Sequence, residues 1–408
     1  MLLIEPRRRR GAGGCKLAIA LAGGGPLGAF YEMGALHALS EAIGGRELTA
    51  FDVYVGVSSG SLVAAGLANG FDTTALGRIY INDESTLYPF SPATLLHPAF
   101  GEYARRLAQL PAVLANIARQ YAQDPLANGW PAGLGSLSRL VPTAVFDQEP
   151  LLRHLRAVFN SEGHTDDFRK LRSRLYVVAT NLNTGESVNF GGPDCDRVPI
   201  SRALLASCAL PGLYRAVEID GEYFVDGALV RTMHASLALE EGCDLVICIN
   251  PLVPFEAPHP RPPGSVNLAA EGLPVILGQT FRSLIYSRMK IGMAAYGARF
   301  PTADIVLLEP DRHDERLFFA NVFRYSERRR LANHAYQRTR HDLLMQADKL
   351  APVLERRGLH LNMKVLRDRR RSFSSAARER SSHARQTAQR LDHALERLER
   401  MLAMRASG

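Results

Sequence analysis

The sequence predicts an α/β fold built on a largely parallel central sheet. Three observations predict it. First, the apolar run Leu17–Ala22 leads into Gly23-Gly24-Gly25-Pro26-Leu27-Gly28 and then a helical stretch from Ala29 to Ala42. Second, the β-branched run at 52–57 leads into Gly56-Val57-Ser58-Ser59-Gly60 and a small-residue helix ending near Asn69. Third, further short apolar runs at 174–182, 245–249 and 303–308 are separated by helical stretches. Continuous apolar strands alternating with helices are the signature of strands covered on both faces. The 408 residues accommodate one large α/β domain or two smaller ones. With 46% hydrophobic and 22% charged residues, the composition is that of a soluble globular protein. No apolar run reaches the ~18 residues of a membrane span.

At the N-terminus, Arg7 to Arg10 followed by Leu17–Ala22 mimics a signal peptide. The strictly apolar run has six residues, short of the usual ~7–15, and reads instead as a buried first strand. Residues 1–16 then form a basic extension. The glycine loop after this strand has two readings. Gly23, Gly25 and Gly28 fit a dinucleotide-binding Gly-x-Gly-x-x-Gly, which also calls for an acidic residue at the end of the second strand. That strand ends in Ser58 instead. The other reading is an oxyanion hole, since glycine N–H groups at a helix start converge on one point. Pro26 suits a first helical position.

Ser58 stands at the centre of Gly-x-Ser-x-Gly, between a strand and a helix. That layout is a nucleophile elbow, with Gly56 and Gly60 keeping bulk away from the turn. Residues 85–150 change character, with many prolines and helical pieces, and read as an insertion. Tyr103, Leu107, Leu110, Leu114, Ile117 and Tyr121 share one helical face, and Pro111 kinks that helix or starts a new one. The face either packs on the sheet or forms a lid or lipid-facing element. Trp130, the only tryptophan, is expected to be buried.

The strand pattern resumes at 174–182, turns at Asn183–Glu186 and returns at 188–190. A helix spans Ile200 to Ala209 and stops at Pro211-Gly212. Val217-Glu218-Ile219, Asp220-Gly221 and Tyr223-Phe224-Val225 read as a hairpin with a type I′ turn. Its returning strand delivers Asp226-Gly227-Ala228. Asp226 is either a turn or cap residue, or a base presented at a strand end. After the strand at 245–249 come Pro254, Pro258, Pro260, Pro262 and Pro263, a helix over 271–299, a strand at 303–308 and charged helical segments within 314–356. Arg369 to Ser375 read as a basic linker. Ala384, Ala388, Leu391, Leu395, Leu398 and Leu402 then repeat at spacings of 4 and 3, a short seam for self-association or for lying on an anionic membrane.

The net charge of +8 sits at the two ends. Residues 364–405 hold twelve Lys/Arg against five Asp/Glu, and residues 1–16 hold five against one. The body is slightly acidic, so no nucleic-acid partner is expected. Five cysteines without CxxC spacing fit a reducing, cytoplasmic compartment, and Cys208 and Cys248 read as core. Twelve scattered histidines show no metal-binding spacing, and no metal or cofactor is expected. A serine nucleophile needs a base. His234, His334 and His341 are the candidates for a triad, but none has triad context in the sequence.

Taken together, Gly23-Gly24-Gly25-Pro26-Leu27-Gly28, Gly56-Val57-Ser58-Ser59-Gly60, Asp226-Gly227-Ala228 and the segment Ala206–Gly212 resemble the motifs of the patatin-like phospholipases, in the same order, over about residues 16–310. The resemblance implies a three-layer α/β/α sandwich as the catalytic domain (17–356), with the insertion at 85–150 and a basic amphipathic tail at 364–408. It also implies a Ser58–Asp226 dyad without histidine. Gly24 and Gly25 hold the oxyanion, Gly23 assists, and Gly28, Gly56, Gly60 and Gly227 support the motifs. The implied activity is hydrolysis of phospholipid or other acylglycerol esters through an acyl-serine. A non-catalytic lipid- or membrane-binding scaffold is the alternative. The tail or the insertion would supply peripheral membrane contact. Two positions depart from the family pattern. Leu27 stands where a cation is usual, which weakens the case for a phosphate head group, and Asn181 stands where Asp is expected.

Overall fold

The computed structural model describes residues 2–4, 15–82, 88, 90–123, 141–258, 267–319 and 325–375. Arg7–Arg10, Trp130, the prolines at 260–263 and the heptad seam at 384–402 lie outside them. Among the described residues the main sheet has nine strands. They are β1 (Leu2–Ile4), β2 (Leu17–Leu21), β3 (Val53–Val57), β4 (Arg174–Asn181), β5 (Ser187–Phe190), β6 (Val217–Ile219), β7 (Glu222–Asp226), β8 (Leu245–Ile249) and β9 (Asp304–Leu308). Strands β9, β8, β2, β3 and β4 run parallel in that spatial order. Antiparallel strands close the sheet: β1 on β9, β5 and β7 on β4, and β6 on β7. The helices that matter for the site are α1 (Gly25–Ala42), α2 (Ser59–Ala68), α3 (Phe100–Gln123), α4 (Ile200–Ser207), α5 (Ala235–Glu240), α6 (Leu273–Arg299) and α7 (Arg328–Met345).

Alternation along the strands builds three layers, because successive side chains point to opposite faces. Leu17, Ile19, Leu21, Tyr54, Leu175, Val177 and Ile247 join one core with residues of α1, α2 and α7. Ala18, Ala20, Val53, Val55, Tyr176, Val178 and Val246 join a second core with α5 and with Met293 and Tyr296 of α6. Both faces are therefore apolar, which is why these strands read as unbroken runs. At the hairpin tip Asp220 and Gly221 have φ of 52° and 81°, as a type I′ turn requires.

The register explains how distant residues meet. Val178 pairs with Asn189 of β5 and with Val57 of β3. Ala179 pairs with Val188 of β5 and with Asp226 of β7. Since β5 holds one edge of β4, β3 and β7 share the other. They approach it from opposite directions, and their carboxyl ends meet at adjacent residues of β4.

Two departures from the family pattern or from the sequence reading have physical reasons. Pro111 lies inside a continuous α3 and does not start a new helix. Leu107, whose carbonyl the proline cannot serve, is 68% exposed, so water is at hand for it. Asn181 organises the turn after β4. Its Oδ1 accepts from the N–H groups of Asn183 and Thr184, and its Nδ2 donates to Glu222. Aspartate in that place would set two carboxylates against each other.

The chain remains on the body past residue 356. Phe373 is buried and packs edge-on against His37. Arg371 pairs with Glu41 at 2.6 Å, and Arg340 donates to the carbonyls of Val365 and Asp368. Among the described residues no helix is long and apolar enough to cross a membrane.

Candidate active site

The serine is held in a backbone conformation that few non-glycine residues adopt. Ser58 has φ 50° and ψ −127° and sits between β3 and α2. Its surroundings fix it from three sides. The Ser58 N–H donates to Ser207 Oγ at 2.8 Å, and that hydroxyl donates on to the Val178 carbonyl at 2.6 Å. Ser61 Oγ donates to the Ser58 carbonyl at 2.5 Å. The two glycines of the motif are required by contact. A Cβ on Gly56 would lie 2.3 Å from Ser61 Cα, and one on Gly60 would lie 2.6 Å from the Ala22 carbonyl oxygen. The first turn of α2 thus rests on the end of β2, which brings Ser58 to the glycine loop.

Within that loop the three N–H groups differ. The Gly23 N–H donates to the Thr232 carbonyl at 3.2 Å and is committed to the backbone. This corrects its expected part as an assisting donor: its constraint is steric, with a Cβ falling 3.1 Å from Ser58 Cβ and 3.0 Å from Ala228 Cβ. The Gly24 N–H donates to Ser59 Oγ at 3.1 Å. Gly25 has φ +61° and opens α1, so its N–H has no intrahelical acceptor. Gly28 closes the loop by donating to the Gly24 carbonyl at 3.0 Å.

Asp226 reaches the serine across the seam where β3 and β7 meet. Ser58 Oγ donates to Asp226 Oδ2 at 2.6 Å. The other oxygen, Oδ1, accepts from the Ala228 N–H at 2.9 Å. Asp226 therefore closes the turn through Oδ1 and meets the serine hydroxyl at the strand end through Oδ2. Gly227 is needed here because a Cβ would lie 2.3 Å from the Val178 carbonyl oxygen. Asp226 is only 3% exposed, and burial pushes its carboxyl up to about 6, against the opposing pull of the Ser58 and Ala228 hydrogen bonds.

Both residues open into a cavity of about 300 Å³. Its walls are mostly apolar and include Phe30, Met33, Leu62, Leu155, Leu213 and Phe281. Cys208 is a half-buried part of this wall, whereas Cys248 is fully buried in the core. Among the described residues no histidine lines the cavity. His234 stands just before α5, buried with its Nε2 unpartnered, and burial together with Arg231 lowers it to about 4. His334 pairs with Asp314, and His341 is exposed. Among the described residues no cluster of His, Cys, Asp or Glu is placed to hold a metal ion.

Sequence reasoning passed over three residues that the structure brings to the site: Ser207, Ser59 and Arg282. Ser207 carries a weak signal, as a hydroxyl ending an apolar helix just before Asp226 in space. Arg282 of α6 lines the cavity but follows Ser58 by more than two hundred residues, with nothing local to mark it.

Residues 19–239 match the patatin-like phospholipase family. The chain is 24% identical over 200 residues to a cGAMP-activated phospholipase of Vibrio cholerae serotype O1, a match covering 47% of this chain and 46% of the relative. It therefore spans just under half of that relative's length. Among solved structures, VipD from Legionella pneumophila aligns with TM-score 0.36 and 13% identity, over 85% of this chain and 80% of VipD. The type III effector protein ExoU aligns with TM-score 0.30 and 18% identity, over 96% of this chain and 65% of ExoU. The family match takes in the glycine loop, the elbow around Ser58 and the aspartate hairpin, and the chain belongs to the patatin-like phospholipase family.

Proposed function

We propose that the chain is a serine acyl-ester hydrolase that releases fatty acid from phospholipid or another acylglycerol through a Ser58–Asp226 dyad. The observation that carries this reading is the 2.6 Å hydrogen bond from Ser58 Oγ to a buried carboxylate inside an apolar cavity. Asp226 Oδ2 takes the serine proton as Oγ attacks the ester carbonyl. The Gly25 N–H faces the oxyanion, joined by the Gly24 N–H once Ser59 Oγ turns away. Collapse expels the alcohol, which takes the proton back from Asp226, and leaves an acyl-serine. Water then attacks that ester, losing its proton to Asp226, and fatty acid leaves as Ser58 is reprotonated. Phe373 and Arg371 are seated on the body that carries Ser58 and Asp226.

A fluorophosphonate probe tests the reading. It should label the wild-type chain and leave Ser58→Ala unlabelled, and only the wild type should release fatty acid from a phospholipid or acylglycerol. A folded wild-type chain that stays unlabelled would support the scaffold alternative instead.

The reading includes contact with a lipid surface through the insertion. Leu107, Leu110 and Leu114, the face of α3 expected either to pack or to meet lipid, are 68%, 36% and 49% exposed. Exposed apolar side chains in such a row suit an interface. Co-sedimentation with phosphatidylglycerol-containing vesicles should weaken several-fold in a Leu107→Ser, Leu114→Ser double variant that keeps its activity on a water-soluble ester. Unchanged sedimentation would remove α3 from the interface.

A further inference from the structure

The cavity wall that holds Ser58 and Asp226 also holds an arginine. Leu27, in the first turn of α1, is buried in the core and is not part of the cavity wall. Arg282 is part of that wall, on α6, together with Gly278 and Phe281. Its position is built. The guanidinium lies 4.7 Å from the centre of the Phe318 ring, and Phe318 is held in turn by Phe255 and Phe319. Three residues before Arg282, Gln279 clasps the backbone of Phe255. Its Oε1 accepts from the Phe255 N–H at 3.0 Å, and its Nε2 donates to the Phe255 carbonyl at 2.7 Å. These contacts tie α6 to the segment that follows β8 and fix the arginine beside the cavity.

Beyond the Phe318 ring, no carboxylate answers the arginine's charge. Among the described residues Arg282 makes no ion pair and no hydrogen bond, although it is half-buried. Aromatic stacking occupies a face of the guanidinium and leaves its rim of N–H groups for a planar or tetrahedral anion. In a mostly apolar cavity whose carboxylate, Asp226, is bonded to Ser58 and Ala228, a charge without its own ion-pair partner is costly unless a ligand supplies the counter-charge. The helix around it adds no acid: Leu273–Arg299 contains Arg282, Arg288, Lys290 and Arg299 and neither Asp nor Glu.

We propose that Arg282 binds the phosphodiester of a phospholipid head group while the adjoining acyl ester lies at Ser58. This rests on the hydrolase reading above and adds a head-group contact to it. Arg282 is a specificity residue and takes no part in the proton transfers.

The experiment compares dioctanoyl phosphatidylglycerol with dioctanoylglycerol, which share acyl chains and differ in the phosphate. The full chain is assayed as wild type, Arg282→Gln and Arg282→Lys. Arg282→Gln should lose about 10- to 100-fold in kcat/KM on the phospholipid, the worth of a charge-assisted hydrogen bond or two. Its rate on dioctanoylglycerol should stay within about twofold of wild type, and Arg282→Lys should recover part of the loss. An equal loss on both substrates, or none on the phospholipid, would overturn the assignment. Calorimetric binding of the phospholipid to the Ser58→Ala chain, with and without Arg282→Gln, reads the same contact without turnover. A wild type that hydrolyses neither substrate would count against the hydrolase reading, while this binding difference would still decide the head-group site. Inorganic phosphate binding Ser58→Ala as tightly as the lipid does would assign Arg282 a free anion and overturn the head-group claim.

Discussion

Asp226→Asn is expected to abolish ester turnover, with kcat falling at least ~10³-fold, while the protein becomes no less stable at pH 8. The first half follows from the geometry. Asp226 Oδ2 is the acceptor of the Ser58 hydroxyl, no histidine among the described residues lines the cavity, and an amide cannot accept a proton there at neutral pH. The second half follows from linkage. Burial holds the folded-state carboxyl near 6, above the ordinary value of about 4 for a free aspartate. A group raised in this way contributes stability below its unfolded value and loses it as pH rises through the folded one. Between about pH 4 and 6 the wild type therefore loses stability, on the order of 3 kcal/mol in total, that Asn at 226 has no charge to lose. Melting curves of both proteins from pH 4 to 8 check this: Asp226→Asn should gain on the wild type as pH rises. The same carboxyl sets the rate profile. Wild-type kcat/KM should fall as pH drops through about 6, because only the ionised form takes the serine proton. Substantial turnover by folded Asp226→Asn would end the dyad mechanism. A profile flat down to pH 4 would remove Asp226 as the titrating base.

The parts of this site that were legible in the sequence are local ones. Leu17–Leu21 and Val53–Val57 announce themselves because both faces of each strand are covered, and Asp220-Gly221 announces its turn because that turn needs two positive φ angles. Gly56 and Gly60 flank Ser58 in sequence, so the elbow is visible as a pattern. What was not legible depends on register. Nothing near Asp226 says that β7 shares an edge of β4 with β3, and only the pairings of Val178 and Ala179 bring it to Ser58. The same holds for the donors: Gly23 looks equivalent to Gly24 and Gly25 until the Thr232 carbonyl, far along the chain, claims its N–H. The periodic face of Tyr103, Leu107, Leu110 and Leu114 gave the helix but not its environment, since periodicity marks a face without naming what covers it. Arg282 had no signal at all, because a lone arginine on a helix is ordinary until its neighbours prove apolar.

The second large effect concerns how tightly the elbow is built, and it separates two glycines that a sequence treats alike. Gly56→Ala should destabilise the fold by about 3 kcal/mol or more, enough to lower expression and melting temperature together. The added Cβ would fall 2.3 Å from Ser61 Cα and 2.8 Å from both the Gly60 carbonyl oxygen and the Ser61 nitrogen. All three are backbone atoms of the turn and first helical residues after Ser58, so no rotamer change relieves the clash. Relief requires α2 to withdraw from β3, and that would undo the positive φ at Ser58 and its hydrogen bonds to Ser207 and Asp226. Gly292→Ala should act in the opposite direction. Gly292 lies inside α6 with helical φ, and a Cβ there meets nothing within 4 Å. Alanine at that position gains up to ~1 kcal/mol from helix propensity and a less flexible unfolded chain. Chemical denaturation of the two variants, read at matched pH, checks the pair. A Gly56→Ala chain as stable as wild type would mean that the strand and helix around Ser58 yield easily, which the close approach of Gly56 to Ser61 argues against.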